Sequence, residues 1–251
     1  MTQLQRLVGL ATQQVYAMSA FIGEMRPPLS SPGRPQCALF LSLAEQHEAT
    51  TLLTQAGLST HAAINLRSML EALADLHLLG LESDHVARMR YKLVKGEKSL
   101  YTPMLEAEDL PEGDRVMLQQ RLAQCMEHYT PLHDKFGKKE KRSQAQDFIA
   151  AGLRDLIAPY GLLCSFAHND LAALAFRHQG QQGMTHRAPA LYDLAFMILS
   201  LASYVLLNAA DAIKEVVYLP EGRFAHHYAI LERLQAEIML LRPLPHRESD
   251  Q

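Results

Sequence analysis

Two neighbouring apolar stretches decide the fold: CALFLSLAEQHEATTLLTQA at residues 37–56 and THAAINLRSMLEALADLHLL at residues 60–79. In each stretch the apolar side chains recur every three or four residues, the spacing that gathers them on one face of an α-helix. Gly57 and Ser59 stand between them, and these residue types favour the end of one helix and the start of the next. Because the connection is so short, we expect an antiparallel helical hairpin at the centre of the core.

The same periodicity in the rest of the chain predicts about eight helices in an all-α fold. Trp is absent and aromatic residues make up only 7% of the chain, which fits Leu- and Ala-rich helix packing better than a β-sandwich. The predicted helices cover residues 2–24, 37–56, 60–79, 84–107, 111–136, 143–177 with a break or kink at Pro159, 189–219 and 220–241. Predicted loops cover about residues 26–36, 137–142 and 179–188, and residues 243–251 are expected to form a loose tail. No linker composition divides residues 1–251, so we expect a single-domain bundle of mostly antiparallel helices.

Charge and cysteine usage narrow the class of protein. The formal net charge of −3 gives no overall attraction to nucleic acid or to an anionic membrane. The three cysteines, Cys37, Cys125 and Cys164, include no Cys-x-x-Cys pair, which argues against a disulfide framework and a zinc site and favours a reducing cytoplasm. The N-terminus has no apolar segment of the signal-peptide type. Residues 194–207 are apolar but shorter than the ~20 residues of a membrane span, so we interpret them as a buried core helix.

The third predicted helix carries a first polar signature, in which Arg67 precedes Glu71 by one turn. The two can form an ion pair on an exposed face, worth ~0.2–0.5 kcal/mol. Apolar residues share their arc of the helix, so the alternative is that another helix covers this face and partly buries Arg67. Glu45, on the preceding helix, lies in an otherwise apolar sector, where a buried carboxylate would need a partner. Arg67 is the candidate, and we favour a structural ion pair over a functional site.

A second polar signature, Ser165-Phe166-Ala167-His168-Asn169-Asp170, lies inside a later apolar helix. His168 follows Cys164 by four residues, so a Cys–His nucleophile pair is conceivable, but a cysteine among apolar residues has a raised pKa and is inert. His168 fits better as an acid, a base or a phosphate-binding group, with Asn169 and Asp170 around it. The alternative is a hydrogen-bonded structural histidine.

Metal and cofactor sites are not indicated. Glu82 and His85 have the Glu-x-x-His spacing of a ferritin-like ligand pair, but they fall at a predicted helix start, and no cofactor motif is present. We therefore expect neither a metal nor a cofactor.

A basic run in the loop at 137–142 is the candidate contact for RNA phosphates. No aromatic residue interleaves it, so base stacking is not indicated, and a solvated loop is the commoner meaning of such a run. The candidate RNA-binding residues are Lys138, Lys139, Lys141 and Arg142.

Taken in order, the two signatures resemble those of the bacterial DUF5677-like proteins, over about residues 38–217. In that family an Arg-x-x-x-Glu helix is followed about a hundred residues later by a Tyr-x4-Ser-x-x-His helix. The matching positions in this chain are Arg67, Glu71, Tyr160, Ser165 and His168. The resemblance implies no established activity, and it carries a loose likeness of fold to the helical HEPN-type proteins of bacterial defence and toxin systems.

Two functions are consistent with these features. The first is a bacterial, cytoplasmic and non-catalytic module, for instance in a stress or defence system, that binds a protein partner or forms a homodimer through exposed apolar faces. In that case the polar residues form a structural network, which would include Glu45, Tyr160, Ser165 and Asp170.

The alternative is a HEPN-like, metal-independent ribonuclease or toxin-type effector. Arg67 would neutralise a phosphate, with Glu71 to orient it, and His168 would act as general base or acid on the ribose 2′-hydroxyl. The sequence leaves open whether the protein is an enzyme. The two functions differ in whether Arg67 and His168 share one open cleft.

Overall fold

The computed structural model describes residues 1–137, 142–168, 170–180, 183–186, 188 and 191–243. Over these residues the prediction of an all-α fold is confirmed, with ten α-helices, a 3₁₀ turn at Arg154–Leu156 and a two-stranded ladder. The helices are α1 (Gln3–Glu24), α2 (Gly33–Gln55), α3 (Ser59–Leu81), α4 (His85–Leu105), α5 (Glu112–Phe136), α6 (Gln144–Ala150), α7 (Ile157–His168), α8 (Leu171–His178), α9 (Tyr192–Ile213) and α10 (Arg223–Met239). The strands β1 (Gln179–Gly180) and β2 (Gly183–Met184) pair in antiparallel orientation.

The chain divides into two compact units. One consists of Met1–Leu78 together with Gln144–Gln251, and the other is Leu79–Ser143. The first unit contains both polar signatures, α1, α2, most of α3 and α6 to α10. The second unit contains the last residues of α3 together with α4 and α5.

In the first unit α9 is the central helix. It contacts α1, α2 and α10. Its side chains Ile198 and Leu206 belong to a large hydrophobic cluster with α2 and α3, and Leu199 belongs to a smaller cluster with α1 and α10. Fully burying one such side chain stabilises the fold by about 1.5–3 kcal/mol. The expected core helix is therefore present; it contains the apolar residues 194–207 and is shorter than the predicted 189–219.

Among the described residues, α9 is also the one helix long and apolar enough to cross a membrane. More than half of its most apolar window, 56%, is buried inside the protein, and core helices share this length and composition. The absence of a membrane span stays a prediction.

The turn between α2 and α3 forms as predicted. Gly57 has a φ of +75°, a conformation that residues with a side chain rarely adopt. The amides of Gly57 and Leu58 donate to the carbonyls of Thr54 (3.0 Å) and Leu53 (2.8 Å), which is the Schellman pattern that ends a helix. The two helices then meet in the large hydrophobic cluster.

The predicted loop at 26–36 is too long, because α2 already begins at Gly33. Pro35 lies in the first turn of α2, where the amide that proline lacks would have no partner inside the helix. The four prolines of this segment therefore do not keep all of it out of the helix.

The segment 143–177 contains three helices, and its break does not fall at Pro159. Helix α6 ends before Gly152, which has a φ of +76°, and the amide of Leu153 donates to the carbonyl of Phe148 at 2.8 Å. Pro159 instead lies in the first turn of α7, a position that tolerates proline. A second break separates α7 from α8, because Asp170 caps a new helix by accepting a hydrogen bond from the Ala173 amide at 3.0 Å.

The second unit is a charged pair of helices, as predicted. Its buried apolar side chains include Val94 on α4 and Leu118 and Phe136 on α5. Arg142 donates two hydrogen bonds, of 2.6 and 3.2 Å, to the carboxylate of Glu82. This ion pair connects the beginning of the second unit to its end.

Candidate functional site

The first polar signature lies on α3, with Arg67 and Glu71 one helical turn apart. Arg67 Nη2 is 2.8 Å from Glu71 Oε1, and the side chains are 28% and 33% exposed. The neighbouring Leu66 and Leu70 are fully buried and fix the orientation of the helix against the core. Arg67 is therefore partly covered, as the second of the two interpretations of this face predicts.

Helix α7 covers this face with two side chains that are also one turn apart. Arg67 Nη2 donates to Tyr160 Oη at 2.9 Å, and Arg67 Nε donates to Cys164 Sγ at 3.4 Å. Tyr160 Oη in turn donates to Glu71 Oε1 at 2.6 Å, and its ring packs edge-on against Phe148. We call Arg67, Glu71, Tyr160 and Cys164 the Arg67 cluster.

The contacts of the Arg67 cluster favour the charged form of Arg67 and the protonated form of Tyr160. Hydrogen bonding to Cys164, followed by that to Tyr160 and the charge of Glu71, raises the pKa of Arg67. Burial, and next the hydrogen bond to the Glu71 carboxylate, raises the pKa of Tyr160. The guanidinium keeps its charge and the phenol keeps its proton near neutral pH. The cluster thus contains a cation that is already neutralised by a carboxylate within hydrogen-bond distance.

His168 is not a direct member of this cluster. It is exposed and lies at the last residue of α7, one turn, or ~6 Å, beyond Cys164. Among the described residues its side chain makes no hydrogen bond. Of the proposed catalytic set, the structure brings together Arg67 and Glu71 and leaves His168 farther along the same helix.

Cys164 is the member of the cluster that sequence reasoning missed as a partner of Arg67. The signal was the spacing of Tyr160, Cys164 and His168, which recur every four residues and therefore share one face of α7. Tyr160 and Cys164 contact Arg67 on α3, and His168 lies on the same face at the exposed end of α7.

Ser165 and Asp170 act at the break between α7 and α8. The backbone amide of Ala173 and then the Ser165 hydroxyl lower the pKa of Asp170 by hydrogen bonding. No described contact joins Ser165 or Asp170 to the Arg67 cluster. Their membership of one network with Arg67 stays a prediction, and the described contacts of Asp170 begin α8.

The expected pairing of Glu45 with Arg67 is also wrong. Glu45 is exposed, and its neighbours Leu41 and Leu52 are 37% and 56% exposed. The buried face of α2 carries polar side chains instead, among them His47 and Thr50. The core face of α2 thus combines these polar side chains with Phe40 and Leu43, while Leu41 and Leu52 lie outside it.

The candidate RNA-binding run is described only at its end. Arg142 is held by Glu82, which already neutralises its charge. Lys138, Lys139 and Lys141 lie outside the described residues.

Arg177 on α8 is a further structural residue that the sequence did not single out. It is 8% exposed, and its guanidinium donates to the carbonyls of Phe166 at 3.0 Å and Thr60 at 3.3 Å. A single side chain thus fixes α8 against both α3 and α7.

The outer face of α8 and the ladder that follows it expose large apolar side chains. Leu171 is 85% exposed and Met184 is 91% exposed. They line two adjoining grooves that share Ala175 and Met184, and the described lining of both contains no Asp, Glu, Lys or Arg. We use the name α8 surface for five exposed large apolar residues of α8 and the chain that follows it, which are Leu171, Leu174, Phe176, Met184 and Leu191.

No group of three or more His, Cys, Asp or Glu side chains could hold a metal ion within the part of the chain that the structure describes. No curated protein and no solved structure matches the chain. A family model does match residues 35–185, a range that contains most of α2 and all of α3, the Arg67 cluster and α8. The chain therefore belongs to the DUF5677 family, a family of unknown function.

Proposed function

We propose that this protein is a non-catalytic helical module that forms a homodimer through the α8 surface. The observation that supports this is the exposure of five large apolar side chains, of which three lie on α8, one on β2 and one at the residue before α9. Soluble monomers rarely expose contiguous apolar patches of this kind, and such patches mark contacts with another protein.

A second copy of the chain is the partner that this surface fits best. Every copy carries the same patch, and a twofold axis sets it against itself, which buries apolar side chains of both copies together. Homodimer interfaces are more apolar than other protein surfaces, and the described lining of the two grooves has no acidic or basic side chain. The same composition argues against a phosphate backbone as the partner.

In this proposal the Arg67 cluster has a structural role. Its hydrogen bonds join α3 to α7, Asp170 starts α8, and Arg177 fixes α8 to the same two helices. These contacts together determine where α8 lies. A neutralised cation needs no external ligand, and this is how the cluster supports a non-catalytic role.

The molar mass in solution tests the proposal. Light scattering over a range of concentrations is expected to give twice the 28.1 kDa of one chain, falling toward one chain on dilution. A mass of one chain at every concentration would contradict it. A stable complex with a different protein, with no dimer of this chain, would also overturn the choice of partner.

A second candidate is the HEPN-like, metal-independent ribonuclease or toxin-type effector. The observation that favours it is that His168 is exposed one turn beyond Cys164, which contacts Arg67. His168 would act as acid or base there, while Arg67 would bind a phosphate. The test is RNA cleavage without divalent metal ions. Cleavage by the wild type, and none by folded Arg67→Ala and His168→Ala variants, would establish the ribonuclease and overturn the non-catalytic proposal.

For either function we propose a place in the cytoplasm of a bacterial cell, in a stress or defence system. The two polar signatures support this setting, because they resemble those of bacterial proteins. Growth arrest on expression of the wild type, absent with both variants, would favour the effector. Equal growth of all three strains would favour the non-catalytic module.

A further inference from the structure

A small cavity lies at the N-terminal end of α3. Its volume is about 40 Å³, and Arg67 is not among the residues that line it. Five consecutive residues, from Gly57 to His61, form one side of it, and the other side comes from the end of α8 and the chain that follows the ladder. The polar residues of its lining are Ser59, Thr60, His61, Arg177, His178 and His186.

The Ser59 hydroxyl has no hydrogen-bond partner among the described residues. Ser59 is 1% exposed, and its Oγ is buried. Leaving a buried hydroxyl unpaired costs about 1–3 kcal/mol, so such groups are almost always paired in native proteins. Ser59 lines the cavity, so a group bound there can pair with this hydroxyl.

The surroundings of the cavity favour a negative charge. The amides of Ser59 and Thr60 are the first of a 23-residue helix, where backbone amides have no acceptor inside the helix and the helix dipole is positive. Arg177 adds a buried positive charge, and three imidazoles line the same space. No carboxylate is among the described residues of the lining.

A metal ion does not fit the same residues. Although three histidines line the cavity, they do not converge on one point within the described residues, and no acidic ligand joins them. The size instead suits about three water molecules or one small oxyanion.

We propose that this cavity binds a small oxyanion, either orthophosphate or the terminal phosphate of an ester, with the Ser59 hydroxyl and the first amides of α3 as donors. Arg177 provides the positive charge, and His61 and His186 are exposed at the solvent side of the cavity. The cavity shares Phe176 and Leu191 with the α8 surface, whereas Ser59 and the first amides of α3 do not belong to that surface.

Equilibrium dialysis of the full chain with labelled orthophosphate tests the proposal. Saturable binding is expected for the wild type. Ser59→Ala, which keeps the helix and removes one donor to a charged ligand, is expected to weaken binding about tenfold. His186→Gln, a change at an exposed position, is expected to weaken it by a smaller factor. Ser99→Ala, at an exposed serine on α4, is the matched control and is expected to bind like the wild type.

Competition by a nucleoside monophosphate identifies the source of the oxyanion. Orthophosphate that binds more tightly than the nucleotide supports a free ion, and the reverse order supports a phosphate ester. An absence of saturable binding at millimolar concentrations would mean that the cavity holds only water and would overturn the proposal. Equal binding by the wild type and Ser59→Ala would overturn it as well, because the ligand would then lie elsewhere.

Discussion

Tyr160 on α7 donates its phenolic proton to Glu71 on α3 across 2.6 Å, while it accepts a hydrogen bond from Arg67. The two residues are 89 positions apart in the sequence. This contact joins the Arg67–Glu71 pair on α3 to Tyr160 on α7. It also explains why the arginine and the carboxylate occur one turn apart, since both must reach the same phenol.

Replacement of Tyr160 by phenylalanine removes this connection and leaves the ring in place. We expect Tyr160→Phe to lower the free energy of unfolding by about 1–3 kcal/mol, because a partly buried guanidinium and carboxylate each lose a partner. Urea unfolding measures the change. Tyr16→Phe is the control, since Tyr16 is 70% exposed on α1. Equal unfolding midpoints for the two variants would mean that the cluster does not stabilise the fold.

Loss of the Asp170 cap should loosen α8 selectively. Asp170→Ala removes the acceptor for the Ala173 amide, and we expect faster hydrogen exchange along α8 and a lower urea midpoint than the wild type. Asp109→Ala, at an exposed position outside any helix, should leave both unchanged. Unaltered exchange in α8 after Asp170→Ala would contradict the role that we assign to this residue.

The buried His47 predicts a loss of stability in mild acid. Burial lowers the pKa of His47 from 6.5 to about 4, and neither ring nitrogen has a hydrogen-bond partner among the described residues. The unfolded chain therefore takes up a proton at a higher pH than the folded protein does. Stability is fully present above pH 6.5 and is lost as the pH falls toward about 4, by on the order of 3 kcal/mol in total.

His47→Met, which keeps an apolar side chain of similar size, should flatten this part of the pH profile in urea unfolding. His77, whose pKa burial also lowers, acts in the same direction and leaves a residual slope. Glu24 acts in a different range, because the hydrogen bond from Arg223 lowers its pKa from 4.5 to about 2 and its contribution is lost only between those values. An unchanged slope in His47→Met between pH 6.5 and 4 would contradict the assignment.

A charge on the α8 surface should weaken the dimer. We expect Leu171→Glu to raise the dissociation constant of the dimer at least tenfold, because two carboxylates would be buried against apolar side chains across the twofold axis. Leu29→Glu is the matched control, since Leu29 is 91% exposed in the loop before α2. Sedimentation velocity measures both constants. Equal constants for the two variants would place the interface elsewhere.

The fold class, the turn at Gly57 and most helix positions could be predicted from the sequence, because they depend on local periodicity and on a residue with a positive φ. The ends of helices were harder where a side chain decided them. Asp170 caps α8 in the middle of an apolar stretch, and Gly152 ends α6 before Pro159, so one predicted helix is three.

The candidate site was predictable only in part. Arg67 and Glu71 were found because i and i+4 residues are neighbours on a helix, and Tyr160 was found by the family resemblance. Glu45 was misplaced because α2 buries His47 and threonines while it exposes Leu41 and Leu52. The cavity beside Ser59 depends on residues more than a hundred positions apart, a relationship that no local pattern contains.

Hydrogen exchange of the wild type as a function of its own concentration tests the central claim most directly. If the α8 surface is the interface, amides of α8 and β2 become protected as the concentration rises, and amides of the loop that contains Leu29 do not. Protection that stays constant at every concentration, or that rises only in other parts of the chain, would contradict the claim that this protein acts as a dimer through α8.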